Sequence, residues 1–405
     1  MHKSHLKINA LVLLLVIFTA LIPQPGFDKN IGLIIFFYLS VLLFSIVEMK
    51  KDIETLDILL LVFIGIVTIG VFFNSSDIVI AERRFFLTYV PLAILFLIAK
   101  NQKEETYTLA IKSITAACLL ISIFMIYEFF TGKNFVFSHI VQNVYFEHKG
   151  FYGNRAFGIF YHPTVAGAFL TMIFPFIALF LSDKENKVRH IFGHISFIVV
   201  SIAIFLTFSK MAWLILGGMY LWYLWQKGIY IKRLILIIFS ILALIFFIKI
   251  SVLKHQFSPY FMITAVDYRL KSFFIAIKMI KQHPIVGGGL DHFRLLYSNY
   301  SGEPNVPYTL RIPDNMYLMI LAETGIIAFM SFIAFTSLLI KKTIEKIKNM
   351  PKDSGRLLIE AMLVSIVGAL IHNISYDSFY WSSPLIIFWV LAGALSNLTR
   401  INAKS

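Results

Sequence analysis

Cysteine and charged residues are both scarce in this sequence. The 405 residues include one cysteine, Cys118, which lies within an apolar run. A single cysteine excludes an intramolecular disulfide framework and a zinc site built from several cysteines. Only 14% of the residues are charged, while 59% are hydrophobic and the mean hydropathy is +0.80. A soluble chain of this length needs more polar residues to cover its surface, so the composition excludes that class.

Apolar runs long enough to cross a bilayer recur along the whole chain, and each can span about 30 Å of hydrocarbon as a helix. We therefore predict an all-α polytopic membrane protein in which residues 1–405 form a single integral membrane domain. The 35-residue stretch from Ile191 to Trp225 is too long for one span, so a tight turn at Thr207–Lys210 divides it. The twelve spans are predicted at approximately 8–25, 31–48, 57–73, 85–99, 107–130, 162–181, 191–208, 211–226, 233–250, 315–340, 357–374 and 383–399.

Lysine and arginine in the loops predict the orientation. Both termini and alternate short loops carry about twenty basic residues, so this face is predicted to be cytoplasmic. The opposite short loops carry few, namely Lys29, Arg83, Arg84 and Lys210. The same asymmetry explains the net charge of +14, and no nucleic-acid partner is predicted. Two longer extracytoplasmic loops follow, at 131–161 and, between spans 9 and 10, at 251–314. In the larger loop, Val266–Gln282 predicts an amphipathic helix at the membrane interface, with Phe273, Phe274, Ile277 and Ile280 on its apolar face.

Four cations on the predicted outer face suit an anion. Lys210 lies in the hairpin sequence TFSK and Arg269 in DYRLKSFF, while Arg155 and Arg311 come from two further outer segments. Guanidinium groups bind phosphate through paired hydrogen bonds, so the set is compatible with a phosphate or diphosphate. Taken singly, Lys210 is also explained by snorkelling to the interface, and Arg269 as an ordinary cation of an amphipathic helix.

The stretch RIPDNMYLMILAETG carries two carboxylates at different depths. Asp314 precedes a long apolar helix and is either its N-cap or a functional carboxylate that accepts a proton from a hydroxyl group. Glu323 lies about 13 Å further along the helix axis. A charge near mid-membrane is costly, so Glu323 is expected to face the protein interior, protonated or paired, in a structural role.

Histidines and glycines of the outer face raise two further possibilities. His162 and His372 share that face with Asp314, but no HxH or HExxH spacing occurs, so a metal site is not predicted. If Asp314 is only a cap, His372 is the next candidate base. The segment HPIVGGGLDHF, residues 283–293, has three glycines but no preceding strand and no GK[ST] motif, so we interpret it as a tight turn that closes the interfacial helix.

Four segments together resemble the O-antigen ligase and O-antigen polymerase superfamily. TFSKMAWLILGG is similar to its T-x-S-R hairpin, and DYRLKSFFIAIKMIKQHPIVGGGLDHF to its R-x-x-x-W…HP-x-x-G-x-G-x-x-x-F segment. PDNMYLMILAETGIIAF resembles its HN-x-Y-L-x-x-L-x-E-x-G-x-x-G segment. RAFGIFYHPTVAGAFL resembles the upstream R-x-x-G-x-F-x-x-P-N motif. The first three segments agree with the family in order and spacing, and they cover roughly Phe192 to Met330.

The resemblance implies a metal-independent, inverting glycosyltransferase of the GT-C type that needs no cofactor and works at the outer face of the bacterial plasma (inner) membrane. The family's functional arginines fall on Lys210 and Arg269, and its catalytic His falls on Asp314. Two of these three positions depart from the ligase pattern. Family members with Asp-Asn at the last position look more like polysaccharide polymerases than lipid A ligases.

A polymerase would join undecaprenyl-diphosphate-linked oligosaccharide repeat units into a surface polysaccharide, whether O-antigen, capsule or exopolysaccharide. The catalytic residues would be Asp314, Arg269 and Lys210, and the substrate-binding residues would be Arg155, Arg311, His162 and His372. The implied partners are the lipid-linked glycan donor, the glycan acceptor, membrane lipids, and a chain-length regulator and flippase of the same pathway.

Two alternatives remain open. A ligase would transfer a finished glycan from undecaprenyl diphosphate to another acceptor, and nothing in the sequence names that acceptor. A membrane transporter of glycans or small solutes also fits twelve spans with an outer charged cavity, but such proteins usually show two related halves. The charges here cluster on one face and the long loop occurs once, which favours an enzyme.

Overall fold

The computed structural model describes residues 13, 15–22, 34–35, 38–39, 53–74, 77–140, 155–227, 259–302 and 311–400. Every regular element in these ranges is helical, and six of their helices are long and apolar enough to cross a membrane. The prediction of an all-α polytopic membrane protein is confirmed. The number of twelve spans stays a prediction, because most of the first two predicted spans and all of the ninth lie outside the described residues.

The helices within these ranges follow the predicted spans closely. We number them in chain order: α1 (Thr55–Asn74), α2 (Ile78–Arg84), α3 (Val90–Lys100), α4 (Glu104–Thr131), α5 (Phe135–Ile140), α6 (Pro163–Ile173), α7 (Ile177–Ser182), α8 (Lys187–Leu206), α9 (Lys210–Lys227), α10 (Pro259–Gln282), α11 (His292–Ser301), α12 (Met316–Lys348), α13 (Ser354–His372) and α14 (Ser382–Leu398). A π-helical turn, Phe85–Tyr89, joins α2 to α3, and 3-10 turns occur at Thr19–Leu21, Phe174–Phe176 and Ser378–Tyr380.

Two details of the span predictions are informative. The predicted fourth span, 85–99, begins a full two turns earlier, because Asp77 caps α2 by accepting hydrogen bonds from the N–H groups of Val79 and Ile80. The predicted turn between the seventh and eighth spans is confirmed. Helix α8 ends at Leu206, Phe208 adopts a left-handed conformation with φ of 51°, and α9 begins at Lys210.

The chain divides into two compact units. Met1–Ile114 and Arg269–Ser405 form the first unit, and Thr115–Tyr268 forms the second. In the first unit, α14 packs along α3 and α12 packs along α1. The approach of α14 to α3 is very close, since a Cβ on Gly393 would lie 2.3 Å from the backbone oxygen of Phe96. In the second unit, α7 packs against α8 and α6 against α9.

Helix α10 confirms the predicted helix at 266–282 and extends it back to Pro259. Its buried face carries Ile275, Ala276 and Met279, which pack into a cluster with residues of α11 and α12. Phe273 and Phe274, predicted on the apolar face, are exposed. The helix therefore has an apolar face turned to the core and a second apolar face turned outward, and its location at the membrane interface stays a prediction.

Helix α12 corrects the prediction of one continuous span at 315–340. The helix runs on to Lys348 but is broken at Gly325, which has φ of 73° and ψ of −178°. In an unbroken helix, the carbonyls of residues 322 and 323 would accept hydrogen bonds from the N–H groups of residues 326 and 327, respectively. The break at Gly325 separates these two pairs of groups. Unpaired groups of this kind are costly in a protein interior within a membrane.

The glycine-rich turn after α10 supplies all four missing partners. The carbonyl oxygens of Ala322 and Glu323 accept hydrogen bonds from the N–H groups of Gly288 and Gly289, each at 3.0 Å. The N–H groups of Ile326 and Ile327 donate to the carbonyls of Pro284 and Ile285, at 2.9 and 3.5 Å. The tight turn predicted at HPIVGGGLDHF is thus confirmed, and its backbone is bonded into the break of α12.

Only glycine fits at the centre of this junction. A Cβ on Gly325 would lie 2.3 Å from the carbonyl oxygen of Ile285, and the positive φ disfavours any other residue. We expect Gly325→Ala to lower the free energy of unfolding by about 2 kcal/mol or more, from backbone strain and the clash together. Thermal unfolding of the purified protein in detergent measures this loss.

The matched control is Gly218→Ala in α9, where a Cβ would meet no atom within 4 Å. Alanine inside a helix favours the folded state by roughly 0.5–1 kcal/mol over glycine, so this variant should melt at or above the temperature of the natural protein. Equal melting temperatures for the two variants would contradict the proposed role of Gly325.

Candidate active site

Asp314 stands just before α12 but does not cap it. The N-cap is Asn315, whose side-chain oxygen accepts a hydrogen bond of 3.0 Å from the N–H of Leu318. The interpretation of Asp314 as the helix cap is therefore wrong. Asp314 adopts a left-handed conformation with φ of 47°, and its carboxylate is free for another partner.

That partner is Arg269, on the first unit's part of α10. The Nε of Arg269 lies 3.3 Å from Oδ2 of Asp314. The arginine side chain is 55% exposed and the aspartate 17% exposed, so the pair lies at an accessible rim. Burial raises the pKa of Asp314 above its ordinary value, and the charge and hydrogen bond of Arg269 act in the opposite direction. Two predicted catalytic residues, 45 positions apart, thus meet in the fold.

A second arginine–aspartate pair lies deeper. Nη2 of Arg294, on α11, is 3.5 Å from Oδ2 of Asp377, whose side chain is fully buried. Nε of Arg294 is 3.8 Å from the carboxylate of Asp291. Nη1 of Arg311 donates to the backbone oxygen of Arg294 at 3.5 Å. The structure therefore places the predicted Arg311 against the second pair.

The turn after α13 connects both pairs to the start of α12. The carbonyls of Asn373 and Ile374 accept hydrogen bonds of 2.9 Å from the N–H of Met316 and the side-chain amide of Asn315. His372, at the end of α13, is fully buried, with Nδ1 2.9 Å from Oγ of Ser378. Its assignment as a substrate-binding residue stays a prediction, although its ring lies inside the protein.

Glu323 faces the protein interior, as predicted. Its side chain is 1% exposed and accepts a hydrogen bond from the hydroxyl of Tyr380. The ring of Tyr380 also has Arg84 stacked on it, with Cζ 3.6 Å from the ring centroid. A buried carboxylate thus belongs to a polar cluster of the first unit, consistent with the structural role expected for it.

The remaining candidates lie in the second unit. Nε of Arg155 donates to the backbone oxygen of Thr207 at 2.7 Å, so this arginine is bonded to the hairpin that precedes Lys210. Lys210 is the exposed first residue of α9. His162 caps α6, because its Nδ1 accepts a hydrogen bond of 3.1 Å from the N–H of Thr164. Their roles toward a substrate stay predictions.

Sequence reasoning missed two arginines of the first unit. Arg294 directly follows the phenylalanine that ends HPIVGGGLDHF, and this position beside the motif is the feature of the sequence that could have identified it. From the sequence alone, Arg84 is only one of the few loop charges of the predicted outer face. Within the described ranges, no three His, Cys, Asp or Glu side chains converge as metal ligands would. The absence of a metal from the reaction stays a prediction.

A comparison with protein-family models bears on the central part of the chain. Residues 195–333 match the model described as O-Antigen ligase. This segment is similar to the O-antigen ligase family. The predicted resemblance to the ligase and polymerase superfamily is confirmed over these residues, and a ligase- or polymerase-type function is supported in general terms. No curated protein matches the chain.

The matched segment, residues 195–333, contains the three residues on which the predicted chemistry depends, Lys210, Arg269 and Asp314. It also contains the glycine-rich turn and the break at Gly325 to which that turn is bonded. Asp377, which is paired with Arg294, and Tyr380 come from beyond it, since both follow its last residue. The site of the first unit is therefore assembled from the matched segment and from the connection between the last two helices.

The buried Asp377 should make stability depend on pH. Burial raises its pKa from 3.8 to about 6, outweighing the nearby guanidinium of Arg294. The folded state therefore holds this proton more tightly than the unfolded chain. Asp377 therefore contributes its full stabilisation below about pH 4, and this stabilisation is lost as the pH rises to about 6. Above that pH no further change is expected, and the total change in the free energy of unfolding is about 3 kcal/mol.

Thermal unfolding of the natural protein and of Asp377→Asn between pH 4 and 7 tests this expectation. The asparagine variant cannot titrate, so the natural protein should lose stability relative to it as the pH rises through that window. Asp267→Asn, at an exposed position on α10, should follow the natural protein. Parallel curves for the natural protein and Asp377→Asn would contradict the raised pKa.

Proposed function

We propose that this membrane protein polymerises undecaprenyl-diphosphate-linked oligosaccharide repeat units into a surface polysaccharide. The reaction takes place at the outer face of the bacterial plasma membrane, with both termini in the cytoplasm. The donor and acceptor are lipid-linked glycans, membrane lipids surround the protein, and a chain-length regulator and a flippase act in the same pathway. The O-antigen ligase match supports this class of chemistry.

The pairing of Arg269 with Asp314 carries the proposal. A cation and a carboxylate from two separate motifs meet at an accessible rim, at 3.3 Å. Transfer of a glycan from a lipid diphosphate needs both kinds of group close together, since a diphosphate leaves while a sugar hydroxyl attacks. Arg269 contacts Asp314 through Nε. In the described part of the chain, its two terminal amino groups make no hydrogen bond.

The reaction is a single displacement with inversion. Asp314 orients the acceptor hydroxyl and accepts its proton as the oxygen attacks the anomeric carbon of the donor. The bond between that carbon and the diphosphate oxygen breaks, and the electron pair leaves on undecaprenyl diphosphate. Arg269 stabilises the charge that develops there, a role that the resemblance also implies for Lys210. Arg155, Arg311, His162 and His372 are the further residues that we assign to substrate binding.

A ligase is the second candidate, because the matching family model is described as O-Antigen ligase. Asp314 favours the polymerase, since the resemblance places Asp-Asn rather than His-Asn at this position in polymerase-like members. The chemistry at the anomeric carbon is the same for both. Only the acceptor differs, so an experiment must identify it.

Incubation of the purified protein with a synthetic undecaprenyl-diphosphate repeat unit distinguishes the candidates. We expect a ladder of longer glycans with release of undecaprenyl diphosphate, read by gel electrophoresis and mass spectrometry. A single product on an added acceptor, with no ladder, would point to the ligase. Passage of the lipid across vesicles without lengthening or loss of the diphosphate would point to a transporter.

Substitution of the central pair tests the site. Asp314→Asn removes the proton acceptor and should lower turnover by about 10²-fold or more, the usual range for a general base. Arg269→Lys keeps the charge but loses the guanidinium fork and the Nε contact, and should lower turnover by at least about tenfold.

Two conservative changes on the exposed surface of α10 serve as controls. Asp267→Asn and Lys278→Arg alter an exposed carboxylate and an exposed cation of the same helix, and both should keep the natural turnover. Melting temperatures would show that all four variants fold. Natural turnover in both Asp314→Asn and Arg269→Lys would show that the chemistry takes place elsewhere.

A further inference from the structure

Arg84 is a partly buried arginine with no role in the chemistry described so far. It ends α2, directly before the π-helical turn. Its Nε and Nη2 atoms are buried, and neither has a hydrogen-bond partner in the part of the chain that the structure describes. Buried guanidinium N–H groups are rarely left unpaired, because desolvation without a partner is costly. Arg84 therefore has unused capacity to bind an anion.

The two unpaired atoms are the right pair for an oxyanion. Nε and Nη2 lie on one edge of the guanidinium group, and their N–H bonds point in the same direction. This edge can donate two parallel hydrogen bonds to a phosphate or a carboxylate. Of two neighbouring buried carboxylates, one oxygen of Glu323 is bonded to the Tyr380 hydroxyl and one oxygen of Asp377 to Arg294.

Tyr380 holds this arginine in place and joins it to a second one. Cζ of Arg84 lies 3.6 Å from the centroid of the tyrosine ring, and Cζ of Arg294 lies 5.8 Å from it. Stacking of cations on a buried aromatic ring is favourable and fixes the plane of the guanidinium group. The hydroxyl of Tyr380 is bonded to Glu323, so the ring itself is fixed.

This arrangement adjoins the candidate active site. Asn315 and Met316, directly after Asp314, donate hydrogen bonds to the carbonyls of Ile374 and Asn373. The same turn leads into Asp377, which lies 3.5 Å from Arg294. Asp314 in turn contacts Arg269. Arg84 thus belongs to the same charged cluster as the proposed base, and all of these residues are in the first unit.

We propose that Arg84 and Arg294, arranged around Tyr380, form a second anion subsite beside Asp314 that binds a phosphate group of the lipid-diphosphate substrate. The inference rests on the proposed function for the source of that phosphate, and it names the residues of this chain that hold it. Arg84 supplies the unoccupied guanidinium edge, Arg294 supplies further positive charge, and Tyr380 is a positioning residue that need not contact the substrate.

Binding of inorganic pyrophosphate and of undecaprenyl diphosphate to the full-length protein in detergent tests the subsite. Arg84→Met should weaken binding of both by roughly tenfold or more, since it removes two hydrogen bonds to a charged group. Arg83→Met is the matched control, because it removes the same charge from the adjacent, exposed position, and should change affinity less than about twofold. Equal affinity for Arg84→Met and Arg83→Met would overturn the inference.

A purely structural role for Arg84, as the counter-charge of Glu323, predicts a different pattern. The double variant Arg84→Met/Glu323→Gln removes both charges and should recover stability lost in Arg84→Met. We expect it not to recover pyrophosphate affinity, and recovery of affinity would overturn the subsite. Tyr380→Phe should keep most of the affinity through its ring, whereas Tyr380→Leu should lose it, and equal affinity in these two variants would exclude the positioning role.

The two proposals fail in different ways. Pyrophosphate binding that depends on Arg84, without any glycan lengthening or transfer by the natural protein, would overturn the proposed function and leave the anion subsite. A normal glycan ladder with unchanged pyrophosphate affinity in Arg84→Met would overturn the subsite and leave the function.

Discussion

Backbone hydrogen bonds between the glycine-rich turn and the broken helix α12 are the interaction on which the first unit's site depends. The turn spans Pro284–Gly289 and replaces two successive intrahelical bonds at Gly325. In an apolar environment, every polar backbone group of such a break must be paired, so the turn and the break require each other. The turn directly follows α10, which carries Arg269, and precedes α11, which carries Arg294. Bonding it to α12 therefore fixes both arginines relative to Asp314.

The charged side chains are arranged at two depths around this junction. Arg269 and Asp314 lie at the rim, where solvent has access, whereas Asp377 is fully buried beside Arg294. The turn after α13 joins the two levels through its hydrogen bonds to Asn315 and Met316. Buried ionisable groups are costly, and cation partners and aromatic stacking offset part of that cost. A cluster of this kind contributes a defined charge pattern more than it contributes stability.

Particular residues show how far local sequence reaches. The hairpin at Thr207–Lys210 followed from the length of an apolar run, and the interior location of Glu323 followed from the cost of a charge in a membrane. The break at Gly325 did not follow, because glycine is tolerated within helices and the apolar pattern continues on both sides. Asp314 and Asn315 are both good N-cap residues, so local preference could not choose between them.

The sequence by itself determined the class of the protein, the approximate limits of most described helices, the hairpin before Lys210 and the similarity of residues 195–333 to the O-antigen ligase family. These properties depend on composition, on local patterns and on ordered motifs. Only the structure decided that Asn315 rather than Asp314 caps α12, that Arg269 faces Asp314, and that Arg84 and Arg294 share the ring of Tyr380. The contacts of the arginines join residues tens to hundreds of positions apart, and they depend on how helices pack, which no local pattern specifies.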